Sequence, residues 1–138
     1  MKILFSLFVL TFYSSFLIGE ENSIKVVANI QDRSIQLSRQ QVRNLFMGGS
    51  LPYDLTAISL PPNSHTRVLF NTKVVGLTES RIQSYWAQMR FTGRKPPPTE
   101  LTSETLIIEY LQTHPGTVTY LPADVQIPEG LTILFQIN

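Results

Sequence analysis

Apolar runs of strand type alternate along this chain with stretches of helical periodicity, and proline, glycine or a capping hydroxyl marks each change. Ile24 to Ile30 (IKVVANI) is short, β-branched and apolar on both faces, the pattern of a buried strand. Asp32-Arg33-Ser34 is a turn. Ser38 opens a helix with Gln41 placed for a capping box, and Val42, Leu45 and Phe46 form its apolar face. Gly48-Gly49 closes it, because glycine tolerates the left-handed conformation after a last turn. Leu55 to Leu60 reads as a second strand, and Pro61-Pro62-Asn63-Ser64 starts a helix that runs to about Gly76. Thr78 caps the next helix, with Glu79 favourably placed at its positive end. Ile82, Tyr85, Trp86 and Met89 then share one helical face, the clearest periodicity in the chain. Thr102 or Ser103 opens a further helix with Ile107, Tyr110 and Leu111 inward, and His114-Pro115-Gly116 ends it. Thr117 to Leu121 and Leu131 to Ile137 are strands. There is no internal repeat. The expected fold is α/β, a mixed sheet flanked by helices.

The chain begins differently. Met1 and Lys2 form a short basic start, and Ile3 to Ile18 follow without a charge. Gly19 is small, and Glu20 and Glu21 return the chain to polar sequence. This is the layout of a secretory signal peptide over 1–19, cut after Gly19. A membrane-spanning helix needs about 20 apolar residues, and this stretch includes Thr11, Ser14 and Ser15. The expectation is therefore a periplasmic protein with a leader at 1–19, one domain at 20–138 and no membrane span after cleavage. With 138 residues in all, a single core is what the length allows.

Composition narrows the chemistry. No cysteine is present, which excludes disulfides, thiolate metal sites, a cysteine nucleophile and a lipoprotein anchor. The net charge of +1 argues against a nucleic-acid binder. Charge is nonetheless uneven. Lys25 to Lys95 holds ten bases against Asp32, Asp54 and Glu79, and Pro96 onward holds five acids and no base. That asymmetry marks either a binding face or two sets of surface charge that mingle in the fold.

Only His65 and His114 could serve as histidine ligands, and neither stands in a metal-ligand pattern. No metal or cofactor is expected. Glu104 and Glu109 are wrongly spaced to share a helical face, so no acid–base pair is visible and no enzyme is expected. Asn63-Ser64-His65-Thr66-Arg67 is more informative, because it follows a strand and opens a helix. Free backbone N–H groups and the positive dipole end favour an anion there. The hydroxyls of Ser64 and Thr66 can donate, and Arg67 adds charge. The same residues also suit a plain helix cap. Arg90, Arg94 and Lys95 flank Phe91-Thr92-Gly93 before Pro96-Pro97-Pro98. That segment reads either as a docking site for an anion or acidic partner, or as a solvated, stiff loop.

Several stretches, taken together, resemble the phosphate-type substrate-binding proteins of ABC importers, with the type 2 periplasmic-binding fold. Ser38 to Gly48 (SRQQVRNLFMG) resembles the helix before that family's F-x-G turn. Ser64 to Gly76 (SHTRVLFNTKVVG) resembles its Ser-Gly-Thr helix start and the Phe-rich helix that follows. Pro115 to Leu121 (PGTVTYL) resembles its Pro-Gly-Ala-Ile-Gly-Tyr strand. Small standalone members are closer still, sharing a Tyr-Trp helix, an F-x-G-[RK] turn and a proline run. Here these are Tyr85-Trp86, Phe91 to Arg94 and Pro96 to Pro98.

The resemblance implies a non-enzymatic, exported binding protein reduced to one lobe of the type 2 fold. It implies phosphate or another oxyanion as ligand, and of the family's binding set Ser64 and Thr66 carry over; with the helix-start reading above, the candidate site is Ser64, His65, Thr66 and Arg67. The family's glycine between Ser and Thr is His65 here, and its arginine four residues before the serine matches Leu60. With one lobe, binding is expected to be weak. The alternative is a structural or interaction module of the cell envelope, whose partner is another envelope protein or a second copy.

Overall fold

The computed structural model describes residues 22–93 and 95–138; the expected leader at 1–19 and Arg94 lie outside the described residues. β1 (Ile24–Ala28) is buried along its whole length, which is why its sequence is apolar on both faces. It pairs antiparallel with β4 (Thr117–Pro122) on one side and β5 (Thr132–Ile137) on the other. β2 (Thr56–Ser59) pairs in parallel with β4 and with a two-residue edge strand, β3 (Thr99–Glu100). The sheet order is β3-β2-β4-β1-β5, a mixed sheet as expected. β3 itself has no strand signal, since it follows three prolines. Those prolines lack an N–H for a ladder, so pairing starts only after them.

α1 (Arg39–Phe46) carries the capping box that Ser38 and Gln41 predict: Ser38 Oγ accepts from Gln41 N, and Gln41 Oε1 accepts from Ser38 N. Its end depends on Gly48, which has a φ of 81° and where an added Cβ would lie 3.1 Å from Trp86 Cη2. Any side chain there would be strained and would push the indole away. α2 (His65–Phe70) continues as a π-helical turn over Asn71–Val75 and ends at Gly76. The turn buries both Val74 and Val75. Its carbonyls accept from α1: Arg39 Nε donates to Val74 O at 3.3 Å, and Arg43 Nε to Val75 O at 2.9 Å.

Three rings join α1 and α2 to the sheet. Phe70 stacks on Tyr120 of β4 at 4.0 Å with planes 8° apart, and Phe46 meets the two at 4.8 and 5.5 Å. Each such ring contributes about 1.5–3 kcal/mol by burial, and paired geometry adds roughly 0.5–1.5 kcal/mol. α3 (Glu79–Phe91) buries Ile82 and Trp86, with Tyr85 and Met89 half-buried on the same face. Tyr85 Oη donates to Met47 O at 2.7 Å, fixing α3 to the end of α1. α4 (Glu104–Thr113) is capped by Ser103 and buries Ile107 and Leu111. Asn29, just past β1, donates from Nδ2 to Leu111 O at 2.6 Å.

Lys25 is a polar intruder in β1. Its Nζ donates to the carbonyls of Ala123 and Val125, at the start of the β4–β5 connection. Burial pushes its pKa down, and Asp124 partly offsets this. Among the described residues, no helix is long and apolar enough to cross a membrane.

Candidate functional site

The strand β2 ends at Ser59, and six residues later, at His65, the chain enters α2. Ser64 is the N-cap, its Oγ accepting from Arg67 N at 3.3 Å. His65 is exposed at the first helical position, while Thr66 and Arg67 are buried. The four residues singled out in the sequence thus stand together at one helix opening, but with different engagements. Thr66 Oγ1 donates to Glu104 Oε1 at 3.3 Å, so a carboxylate from α4 sits beside the opening.

Arg67 makes four side-chain hydrogen bonds. Its Nε and Nη2 grip both oxygens of Glu79 at 2.6 and 2.8 Å. Its Nη1 donates to Glu100 Oε1 at 2.7 Å and to Leu60 O at 2.8 Å. Such a two-pronged contact to a carboxylate is the strongest form of this pair. Burial alone would lower the Arg67 pKa, but the bonds to Glu79 and Glu100 outweigh it and raise it. Glu79 behaves in the mirror sense. Burial would raise its pKa, yet hydrogen bonds from Arg67, Gln83 and Asn71 hold it below the ordinary carboxylate value. Arg67 therefore contributes position to the opening, not a free cation.

The network reaches the sheet through Tyr120. Its hydroxyl shares a 2.8 Å hydrogen bond with Ser59 Oγ and accepts from Leu60 N at 3.2 Å. Burial pushes its pKa up to about 12, so the hydroxyl stays protonated across the physiological range. Beside it lies an open cleft of about 270 Å³, lined among others by Ser59, Arg67, Asn71, Gln83, Arg90 and Tyr120. Arg67 enters the cleft already paired. Arg90 enters it with no ion pair among the described residues.

Glu79, Glu100, Glu104 and Tyr120 have no place in the sequence reading of this site, where Glu79 is only a favourable charge at a helix start. One signal points to them. Arg67 precedes Phe70, Asn71 and Val74 by three, four and seven residues, so it shares their inward face. A buried guanidinium needs carboxylate partners. Glu79 comes from the first turn of α3, and Glu100 from β3, the strand that the sequence does not announce.

A mixed five-stranded sheet with these helices, and a capped helix opening after β2, make an α/β fold. Among solved structures, the chain is similar to the crystal structure of an ABC-type phosphate transport receptor from Vibrio cholerae, with a TM-score of 0.58 and 14% identity. The match covers 81% of this chain and 45% of the receptor, so the chain spans less than half of that protein's length. No protein-family model and no curated protein matches it.

Proposed function

We propose that the chain is an exported, non-enzymatic binding protein made of one lobe of the phosphate-receptor type, with weak affinity for phosphate or another oxyanion. The observation that carries this reading is the placement of Ser64, His65 and Thr66 at the helix opening directly after β2, in a fold shared with a phosphate receptor. The leader pattern over 1–19 supports export. Backbone N–H groups, the dipole and the two hydroxyls supply the attraction. Arg67 is spent on Glu79 and Glu100, Leu60 brings no charge, and Glu104 repels an anion at Thr66. Affinity is therefore nearer millimolar than micromolar, about 4 kcal/mol of binding.

Thermal shift with phosphate and sulfate at low salt tests this on the parent and on Glu104→Gln. Both should be stabilised at millimolar anion, and Glu104→Gln at lower concentration, because the repelling charge is gone. If neither variant responds, the oxyanion reading fails. Export is tested separately, by N-terminal sequencing of envelope-fraction protein, which should begin at or near Glu20.

The engaged state of Arg67 and Thr66 also favours a second reading. A helix opening whose cation and hydroxyl are satisfied from within suits a structural or interaction module of the envelope that has lost its ligand. A parent and a Glu104→Gln variant both indifferent to anions would put that reading first.

A further inference from the structure

Phe91, the last residue of α3, is 93% exposed, against 50% for Val68 and 46% for Leu106. Its ring is left almost wholly to solvent. Thr92 closes the helix, its Oγ1 and backbone N both donating to Met89 O, at 2.8 and 3.2 Å. Gly93 then reverses the chain with a φ of 68°, and an added Cβ there would meet nothing within 4 Å. The tip therefore stands clear of its surroundings. Arg90 and Lys95 beside it are exposed and make no ion pair among the described residues. Between Glu79 and Glu100 the sequence holds four bases and no acid.

We propose that this tip docks on an anionic lipid surface. A bare aromatic ring with exposed cations close on both sides of it in the sequence has the chemistry of an interfacial anchor. The ring enters the boundary of the acyl chains, while the Arg and Lys stems lie along it with their charges among the headgroups. A protein partner fits less well. A stable protein contact buries about 800 Å² per partner around an apolar centre. Here the apolar surface is one ring, and its near neighbours in sequence, Gln88, Arg90, Thr92 and Lys95, are all polar and exposed. The contact is peripheral and reversible, since one ring and a few cations give weak membrane affinity. Arg90 also lines the cleft beside Tyr120, but none of Ser64, His65, Thr66 and Arg67 belongs to the tip, so the proposal stands or falls apart from the oxyanion reading.

The test places a reporter at the tip. Phe91→Trp adds one emitter to a chain whose single tryptophan, Trp86, is buried, so the difference from the parent spectrum reports position 91 alone. With vesicles of phosphatidylcholine and roughly 30% phosphatidylglycerol at low salt, the added emission should shift to the blue. Bromine-labelled acyl chains should quench it, and about 0.5 M salt should reverse both effects. By co-sedimentation, Phe91→Ala should lower partitioning about tenfold. Arg90→Gln and Lys95→Gln should each lower it about fivefold. Position 91 remaining in water on anionic vesicles would overturn the proposal, whether or not an acidic protein is found to bind the tip. Equal quenching on neutral vesicles, insensitive to salt, would overturn it too, because the cations would then play no part.

Discussion

Arg67 and Arg90 belong to neighbouring helices and look alike in the sequence, each a base near a helix end with an aromatic residue close by. Their situations in the fold are opposite. Arg67 is 7% exposed and holds two carboxylates and a carbonyl. Arg90 is exposed, has no ion pair among the described residues and precedes a phenylalanine that is 93% exposed. The first cation is consumed by the structure, and the second is left for something outside it. A count of bases along the chain does not separate the two; the helical face each occupies does.

The sharpest way to break the comparison is at the aromatics of α3. Trp86→Ala removes a buried indole that lies over Gly48 and should cost about 3–5 kcal/mol. Phe91→Ala, five residues on, should change stability by no more than about 0.5 kcal/mol, as an exposed site does. Urea denaturation of the two variants gives both numbers. A large loss from Phe91→Ala would mean that its ring packs on the fold in solution and would remove the contrast.

The arginines come next. Arg67→Ala leaves Glu79 and Glu100 facing each other without their cation, and should cost about 3 kcal/mol. Arg90→Ala should stay within about 0.5 kcal/mol. Comparable losses at the two sites would show that Arg90 also has an internal partner.

Much of this architecture is legible in the sequence, and what is missing has a physical reason. The four longer strands, the caps at Ser38 and Thr78, the helix starts that Ser64 and Ser103 cap, each to within a residue, and the inward face of α3 all follow from local pattern. Local pattern works there because caps and periodicity are set within a few residues. β3 escapes it, since two residues have no periodicity and their pairing to β2 is tertiary. The π-helical turn escapes as well: its carbonyls are held by Arg39 and Arg43, from a helix about thirty residues earlier. At the helix opening, the sequence offers Asn63 or Ser64 as cap but not the carboxylates on Thr66 and Arg67. Glu100 and Glu104 arrive there from the acid-only stretch beyond Pro96, so the two charge sets do meet at this site.

Acid sharpens the comparison further, with a smaller effect. The pKa of Glu79 is held below its ordinary value of 4.5 in the folded chain. Its contribution to stability is therefore fully present above about that value and is lost as pH falls through the lower, folded one. Urea midpoints from about pH 7 down to about pH 3 should fall on the acid side, and Glu79→Gln should flatten part of that fall. Arg90→Gln should leave the profile as it is, because no carboxylate among the described residues pairs with it. An unchanged profile in Glu79→Gln would place the acid sensitivity elsewhere.

The smallest effect concerns the cap. Ser64→Ala removes the acceptor for Arg67 N, and Ser38→Ala removes the equivalent acceptor for Gln41 N on α1. Each should cost about 1 kcal/mol, because the local chemistry is the same. Stability alone therefore cannot tell a cap from a ligand site. Anion response can, since Ser38 opens a helix for which no ligand is proposed. If Ser64 also touches an oxyanion, Ser64→Ala should abolish the stabilisation by millimolar phosphate while Ser38→Ala keeps it in full. Equal responses in the two variants would leave Ser64 as a cap only. The helix opening would then be, like the guanidinium of Arg67 behind it, a group satisfied wholly from within.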